Sequence, residues 1–444
     1  MRREIIIIGG GLAGTEAAWQ LAERGFDAVL YEMRPVRTTD AHQTDRLAEL
    51  VCSNSLKSDR HPSASWLLKE ELRRLDSLLL RVAEKSRVPG GQALTVDRVV
   101  FAEEVTDAIE RHPRIEVRRE EIAEIDPARP TIIATGPLTS NALAASLSQF
   151  TGADRLFFYD SISPIVDAHS IDRTVVFPAS RYDKSLGGTG DYLNCPFTRA
   201  EYERFVDALM AAQAVDSHIA HDLPDGDVPY FEACLPIEEI ARRGRETLRF
   251  GPMKPMGLTD PRTGRRPYAA VQLRRENLRA DSFNLVGFQN HLKFGEQKRI
   301  LRLIPGLENA EFLRYGQIHR NTYINAPALV TDTLQLRAHP DIFFAGQISG
   351  VEGYVESIAT GLVAGMFAAS QLNGDPPRAF PRETAIGSLC HYISHADPRS
   401  YQPANIAFDL FPPLTEAIRD RNQRQTEICR LALEKLDQYA GVHV

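Results

Sequence analysis

Two cysteines stand in surroundings that suit thiol chemistry. Cys52 lies in Glu49-Leu50-Val51-Cys52-Ser53-Asn54-Ser55-Leu56-Lys57-Ser58, where Ser, Asn and Lys favour a partly exposed thiol with a lowered pKa. Cys234 lies in Tyr230-Phe231-Glu232-Ala233-Cys234-Leu235-Pro236, just ahead of a basic stretch. The commoner fate of a cysteine is burial. Cys429, in the apolar stripe of the last helix with Ile428 and Leu431, reads as core, and Cys195 and Cys390 carry no signal. Five cysteines without a CxxC pair exclude a disulfide framework and a thiolate zinc knot, and suit a reducing compartment. His218, His221 and Asp222 lack a further well-spaced ligand, so no metal site is expected.

A second chemistry is phosphate binding. Ile5 to Ile8 form a β-branched run that leads into Gly9-Gly10-Gly11-Leu12-Ala13-Gly14 and then a helical stretch from about Thr15 to Arg24. In that order Gly9 permits the tight turn, Gly11 lets a pyrophosphate approach the backbone, and Gly14 lets helix pack on strand. The helix N-terminus offers free N–H groups to the phosphates. A second strand, Phe26 to Tyr31, ends on Glu32, where a carboxylate can accept both ribose hydroxyls. Some three hundred residues later the chain returns to a strand–glycine–helix unit, Phe343 to Gly365, containing Gly346 and Gln347. Two halves separated by an insertion point to FAD rather than NAD, with Gly346 covering the flavin end and any nicotinamide donor visiting transiently.

The elements that must position these groups define the expected architecture. It is an α/β Rossmann-like FAD-binding domain, split in sequence, with an inserted α+β domain. The expected boundaries are 1–142, 143–329 and 330–444, the last part carrying a C-terminal helix from about Leu414 to Tyr439. Residues 66 to 85 read as one amphipathic helix, and Ile132 to Thr135 as a strand entering a glycine turn. No apolar stretch approaches the ~20 residues of a membrane helix. The apolar run after Met-Arg-Arg-Glu is too short for a signal peptide, so a cytoplasmic protein is expected. Net charge is −7, yet residues 241 to 280 carry eleven basic side chains against three acidic ones. With Pro and Gly interleaved, that stretch reads as a looped basic surface suited to a phosphate backbone, with Lys254, Arg265, Arg266, Arg274 and Arg275 as candidate contacts.

The chain resembles the folate- and FAD-dependent tRNA uracil-5-methyltransferase family along essentially its whole length. The matching segments are 49–58, 231–243, 251–273 (GPMKPMGLTDPRTGRRPYAAVQL), 286–325, 345–365 and 401–413. The resemblance implies methylation of a T-loop uridine of tRNA at C5. The carbon would come from 5,10-methylenetetrahydrofolate and reducing equivalents from FAD recharged by NAD(P)H. Cys52 and Cys234 match the family's two catalytic cysteines. Uracil C5 is a poor nucleophile until a thiolate adds at C6, after which a second group must remove the C5 proton. Cys52 is assigned to covalent addition and Cys234 to proton removal, with exchange of the two roles left open. Ala233 stands where a glycine is expected, and Phe294 where Trp is commoner. His319, Arg320 and Asn321 are folate-pocket candidates by their nearness in sequence to the second flavin segment. The rival readings are the related family that modifies wobble uridines, whose chains carry a further C-terminal helical domain, a small-molecule flavin oxidoreductase, and an S-adenosylmethionine methyltransferase.

Overall fold

Strand β1 (Glu4–Ile8) has parallel partners on both sides, which is why its four isoleucines are all buried. The computed structural model describes residues 4–39, 41–152, 156–184, 190–215 and 235–443, with 156–161, 318–320 and 442–443 described by backbone alone. Helix α1 (Leu12–Glu23) follows β1, and the chain returns as β2 (Asp27–Tyr31) beside it. Ile115–Arg118 extends the sheet beyond β2, and Thr131–Ile133 pairs with the other side of β1. His339–Phe344 then docks parallel against Thr131–Ile133, placing Ile342 beside Thr131 and Phe344 beside Ile133, and Gln335–Leu336 closes that edge antiparallel. One sheet is thus assembled from both ends of the chain, as expected of a split Rossmann-like domain.

The two halves lock through a helix crossing. The long helix Tyr354–Asn373 packs on α1 at glycines: a Cβ on Gly361 would lie 2.2 Å from the Ala13 carbonyl oxygen, and one on Gly365 2.8 Å from that of Ala17. Among the described residues this is the one helix long and apolar enough to cross a membrane, but most of it is buried inside the protein. It is a core helix.

Between the halves lies a second, antiparallel sheet with its own core. Its strand order is Phe177–Ala179, Tyr192–Phe197, Ala269–Arg275, Ser282–Leu285, Ile165–Asp167, Phe312–Arg314. Helices Arg199–Met210, Ile237–Arg242 and Phe294–Leu301 supply apolar side chains such as Phe205, Ile237 and Ile300 to that core. The connections leaving and re-entering the first unit, Leu156–Ser161 and Ile318–Tyr323, run side by side as an antiparallel pair.

Two expected helices are corrected. The stretch 66–85 is two helices, Ala64–Arg74 and Leu78–Lys85, because Asp76 adopts a left-handed φ of 62° and Ser77 caps the second by accepting the Leu80 N–H. The buried Glu16 carboxylate also accepts from the N–H groups of Leu78 and Leu79 at that start. The last helix begins at Arg421, not Leu414. Of residues 414–420 only Leu414 packs against the core, too little to hold a helical turn, and Asp420 caps the helix by accepting the Gln423 N–H.

Candidate functional site

The β1–α1 turn opens onto a cleft also lined by the end of β2, by Ala134 and Thr135 just after Thr131–Ile133, and by Gly346 and Gln347 from the returning half of the chain. Gly9 takes φ 109°, and a Cβ there would meet the Ala134 carbonyl at 2.5 Å. At Gly14 a Cβ would sit 1.8 Å from the Gly9 carbonyl oxygen, so this glycine serves the packing of helix on strand. Gly11 differs: a Cβ there would meet nothing within 4 Å. The protein itself does not require that glycine; the open space before it suits a ligand. Gly9, Gly10, Gly11, Leu12, Ala13, Glu32, Gly346 and Gln347 all line the cleft, with Gly14 behind.

Glu32 sits at the end of β2, nearly buried. Its Oε2 accepts the Gly10 N–H at 3.0 Å, and its Oε1 accepts from the backbone N–H and the Nε of Arg34, each at 2.9 Å. Arg34 reaches on to Glu49 at 3.1 Å. Burial pushes the Glu32 carboxyl up, but the hydrogen bonds and charge of Arg34 outweigh it and hold the group below the usual carboxylate range. His42 lines the same cleft, and burial, with the Arg34 charge, lowers its pKa to about 4. The folded protein therefore keeps His42 neutral, whereas the unfolded chain takes a proton near pH 6.5. Stability should fall as pH drops from 6.5 to about 4, and His42→Asn should flatten that part of a plot of Tm against pH. An unchanged slope would remove His42 from the acid response.

Cys52 is half-buried beside the cleft, one residue after the lining residue Val51. The backbone N–H groups of Cys52 and Ser53 both donate to the phenol oxygen of Tyr354, at 2.8 and 3.1 Å. Tyr354 lines the cleft at the start of the long helix, and burial holds its hydroxyl protonated. Lys57, at a left-handed φ of 60°, pairs with the fully buried Glu356 of the same helix at 2.7 Å. The thiol-bearing segment is thereby fixed to the helix that follows Gly346.

The remaining candidates separate. Cys234, like His218, His221 and Asp222, lies outside the described residues. Lys254, Arg265 and Arg266 are exposed on the loop before Ala269–Arg275. The basic stretch is less looped than expected, since it includes helices Ile237–Arg242 and Thr247–Phe250 and that buried strand. Arg274 is buried on it and donates to Ser53 Oγ at 2.9 Å, while the Arg275 carbonyl accepts from Asn54 at 2.8 Å. These two face the Cys52 segment. Asn321 is buried on Ile318–Tyr323, the return connection, and His319 and Arg320 are described by backbone alone. Among the described residues no group of three His, Cys, Asp or Glu could hold a metal ion. Arg34, His42, Arg98, Arg314 and Tyr354 were missed by sequence reasoning. Of these only Arg34, two residues beyond Glu32, had a usable signal.

Comparison with known proteins follows the same lines. A family model described as Glucose inhibited division protein A matches residues 4–376. A protein of Solibacter usitatus named methylenetetrahydrofolate--tRNA-(uracil-5-)-methyltransferase TrmFO is 67% identical over 444 residues, covering 99% of both chains. One of the same name from Koribacter versatilis is 62% identical over 442 residues, covering 98% of both. Among solved structures, Aquifex aeolicus GidA superposes with a TM-score of 0.66 at 16% identity, over 99% of this chain and 75% of that one, a likeness of fold.

Proposed function

The chain belongs to the TrmFO family, and from that premise we propose that it methylates C5 of the T-loop uridine of tRNA, forming 5-methyluridine in the cytoplasm. The carbon donor in this reading is 5,10-methylenetetrahydrofolate, and the reductant is FAD recharged by NAD(P)H. The observation that carries it is the whole-length identity to named relatives, joined to a dinucleotide cleft with a cysteine at its edge. The cleft residues fit FAD. Gly11 leaves room for the pyrophosphate, and Glu32 lines the cleft at the end of β2, where its carboxylate would exchange some of its four hydrogen bonds from Gly10 and Arg34 for the ribose hydroxyls. Gly346 and Gln347 cover the flavin end. Bound there, FAD supplies the redox chemistry that turns a methylene carbon into a methyl group.

Cys52 and Cys234 divide two tasks on the uracil. One thiolate adds to C6, moving electron density to C5, and the other removes the C5 proton once the new carbon is attached. The deciding experiment supplies unmodified tRNA with methylenetetrahydrofolate or S-adenosylmethionine as the only carbon source. Methylation from the folate alone is expected, and methylation from S-adenosylmethionine would overturn the reading.

The exposed cations Lys254, Arg265 and Arg266 hold tRNA phosphates while the target base leaves its stack. Reversing Arg265 and Arg266 to Glu should weaken tRNA binding by about tenfold or more and flatten its log–log salt dependence by about two. NAD(P)H oxidation by the flavin should stay within about twofold, as expected of contacts that only position phosphate. An unchanged tRNA affinity would sink the basic-loop assignment.

A further inference from the structure

Four elements distant in sequence close on residues 50–53. Arg98, at the start of helix Arg98–Glu110, donates to the Leu50 carbonyl at 2.7 Å and pairs with Glu276. Arg314, ending strand Phe312–Arg314, donates to the carbonyls of Val51 and Ala41 at 3.0 and 3.1 Å. Arg274 donates to Ser53 Oγ, and Tyr354 accepts the N–H groups of Cys52 and Ser53. All three guanidinia interact electrostatically with Cys52. The Nε atoms of Arg274 and Arg314 are buried without a hydrogen-bond partner.

Arg34, Arg98, Arg274 and Arg314 lie among Glu32, Glu49, Glu276 and the buried Asp97, while Lys57 and Glu356 neutralise each other and both Tyr354 and His42 are uncharged. Among the described residues neither Arg274 nor Arg314 is ion-paired with a carboxylate, and a buried cation without such a partner is strongly unfavourable. The Cys52 thiol is an acidic group with which both guanidinia interact electrostatically.

We propose that Arg274 and Arg314, reaching from the inserted unit, act with Arg98 as positioning residues that hold residues 50–53 and balance a Cys52 thiolate. Forming that anion releases the thiol proton to water and moves no electrons. Both tasks open to Cys52, addition at C6 or removal of the C5 proton, need the anion, so this assignment rests on the reading of Cys52 as a catalytic thiol. Because two of the three cations belong to the inserted sheet, the reactive form of Cys52 depends on the two units being docked.

The test is iodoacetamide alkylation of Cys52 in the FAD-loaded protein without tRNA, followed by peptide mass spectrometry across pH 5 to 10. Wild type should be half-reactive well below the ~8.5 of an ordinary thiol. Arg274→Met should raise that midpoint by about one unit and slow alkylation at pH 7 about tenfold. Arg274→Lys, which keeps the charge, should recover most of the shift, and reversal of the exposed Arg421 to Glu should leave the profile unchanged. Should Arg274→Met fail to retain flavin, Arg314→Gln supplies the same comparison. A Cys52 profile unaltered in the folded neutral variants, or altered equally by Met and Lys, would overturn the charge role. Because the readout needs no substrate, a shifted midpoint in a protein that makes no 5-methyluridine would sink the functional reading while leaving the arginines' role intact.

Discussion

Replacing either Cys52 or Cys234 with alanine should yield a yellow protein that still oxidises NAD(P)H but makes no detectable 5-methyluridine. The expectation follows from where Cys52 sits. It is at the edge of the cleft, where its backbone N–H donates to Tyr354, and truncating the side chain leaves that backbone contact in place. Losing a general base alone lowers turnover by about a hundredfold or more, and losing the group that adds to C6 removes the route altogether. tRNA carrying 5-fluorouridine separates the two, because a fluorinated C5 has no proton to give up and the adduct is trapped. The alanine variant that no longer traps tRNA identifies the thiol that adds to C6; the other should still trap it. Wild-type methylation by either variant would return that cysteine to a structural role.

Gly11→Val should purify folded and largely free of flavin, whereas Gly14→Ala should damage the fold itself. The contrast lies in what each new Cβ meets: open cleft at Gly11, and the Gly9 carbonyl oxygen at 1.8 Å at Gly14. A side chain at Gly11 enters the space assigned to the pyrophosphate, and its Cβ meets no protein atom within 4 Å. Flavin absorbance per chain and Tm report the two effects independently. Full flavin content in folded Gly11→Val would mean that the turn has been misassigned. Glu32→Ala is a less clean probe, because it also removes one of the two carboxylates paired with the buried Arg34 guanidinium. Breaking such a pair costs about 3–5 kcal/mol, so flavin loss and instability would arrive together.

The glycine turn, Glu32 and the returning unit at Gly346 were legible in the sequence because each is a local pattern: strand period, turn glycine, helix start. The clamp around Cys52 was not. Arg98, Arg274 and Arg314 come from three elements spread over more than two hundred residues, and no spacing rule links them. Arg274 illustrates the difficulty. A charge count placed it with Arg265 and Arg266 on a phosphate-binding surface, but strand Ala269–Arg275 alternates its faces and turns Arg274 inward to Ser53. The break at Asp76 was equally hidden, since leucines continue at helical spacing across it and only the left-handed backbone shows the turn.

The way the first sheet is completed has a consequence for biosynthesis. A ribosome delivers β1, β2 and Thr131–Ile133 early, but the strand that covers the last of these, ending at Phe344, emerges about 200 residues later. At about 5–20 residues per second that interval is roughly 10–40 s. Throughout it an apolar strand made to be buried on both faces has an unpaired edge, the kind of surface that seeds aggregation. The inserted sheet has a shorter wait, because all its strands lie between Ile165 and Arg314. The middle of the chain therefore folds before its two ends can meet, and soluble yield should respond to translation speed and to chaperones that shield the waiting strand.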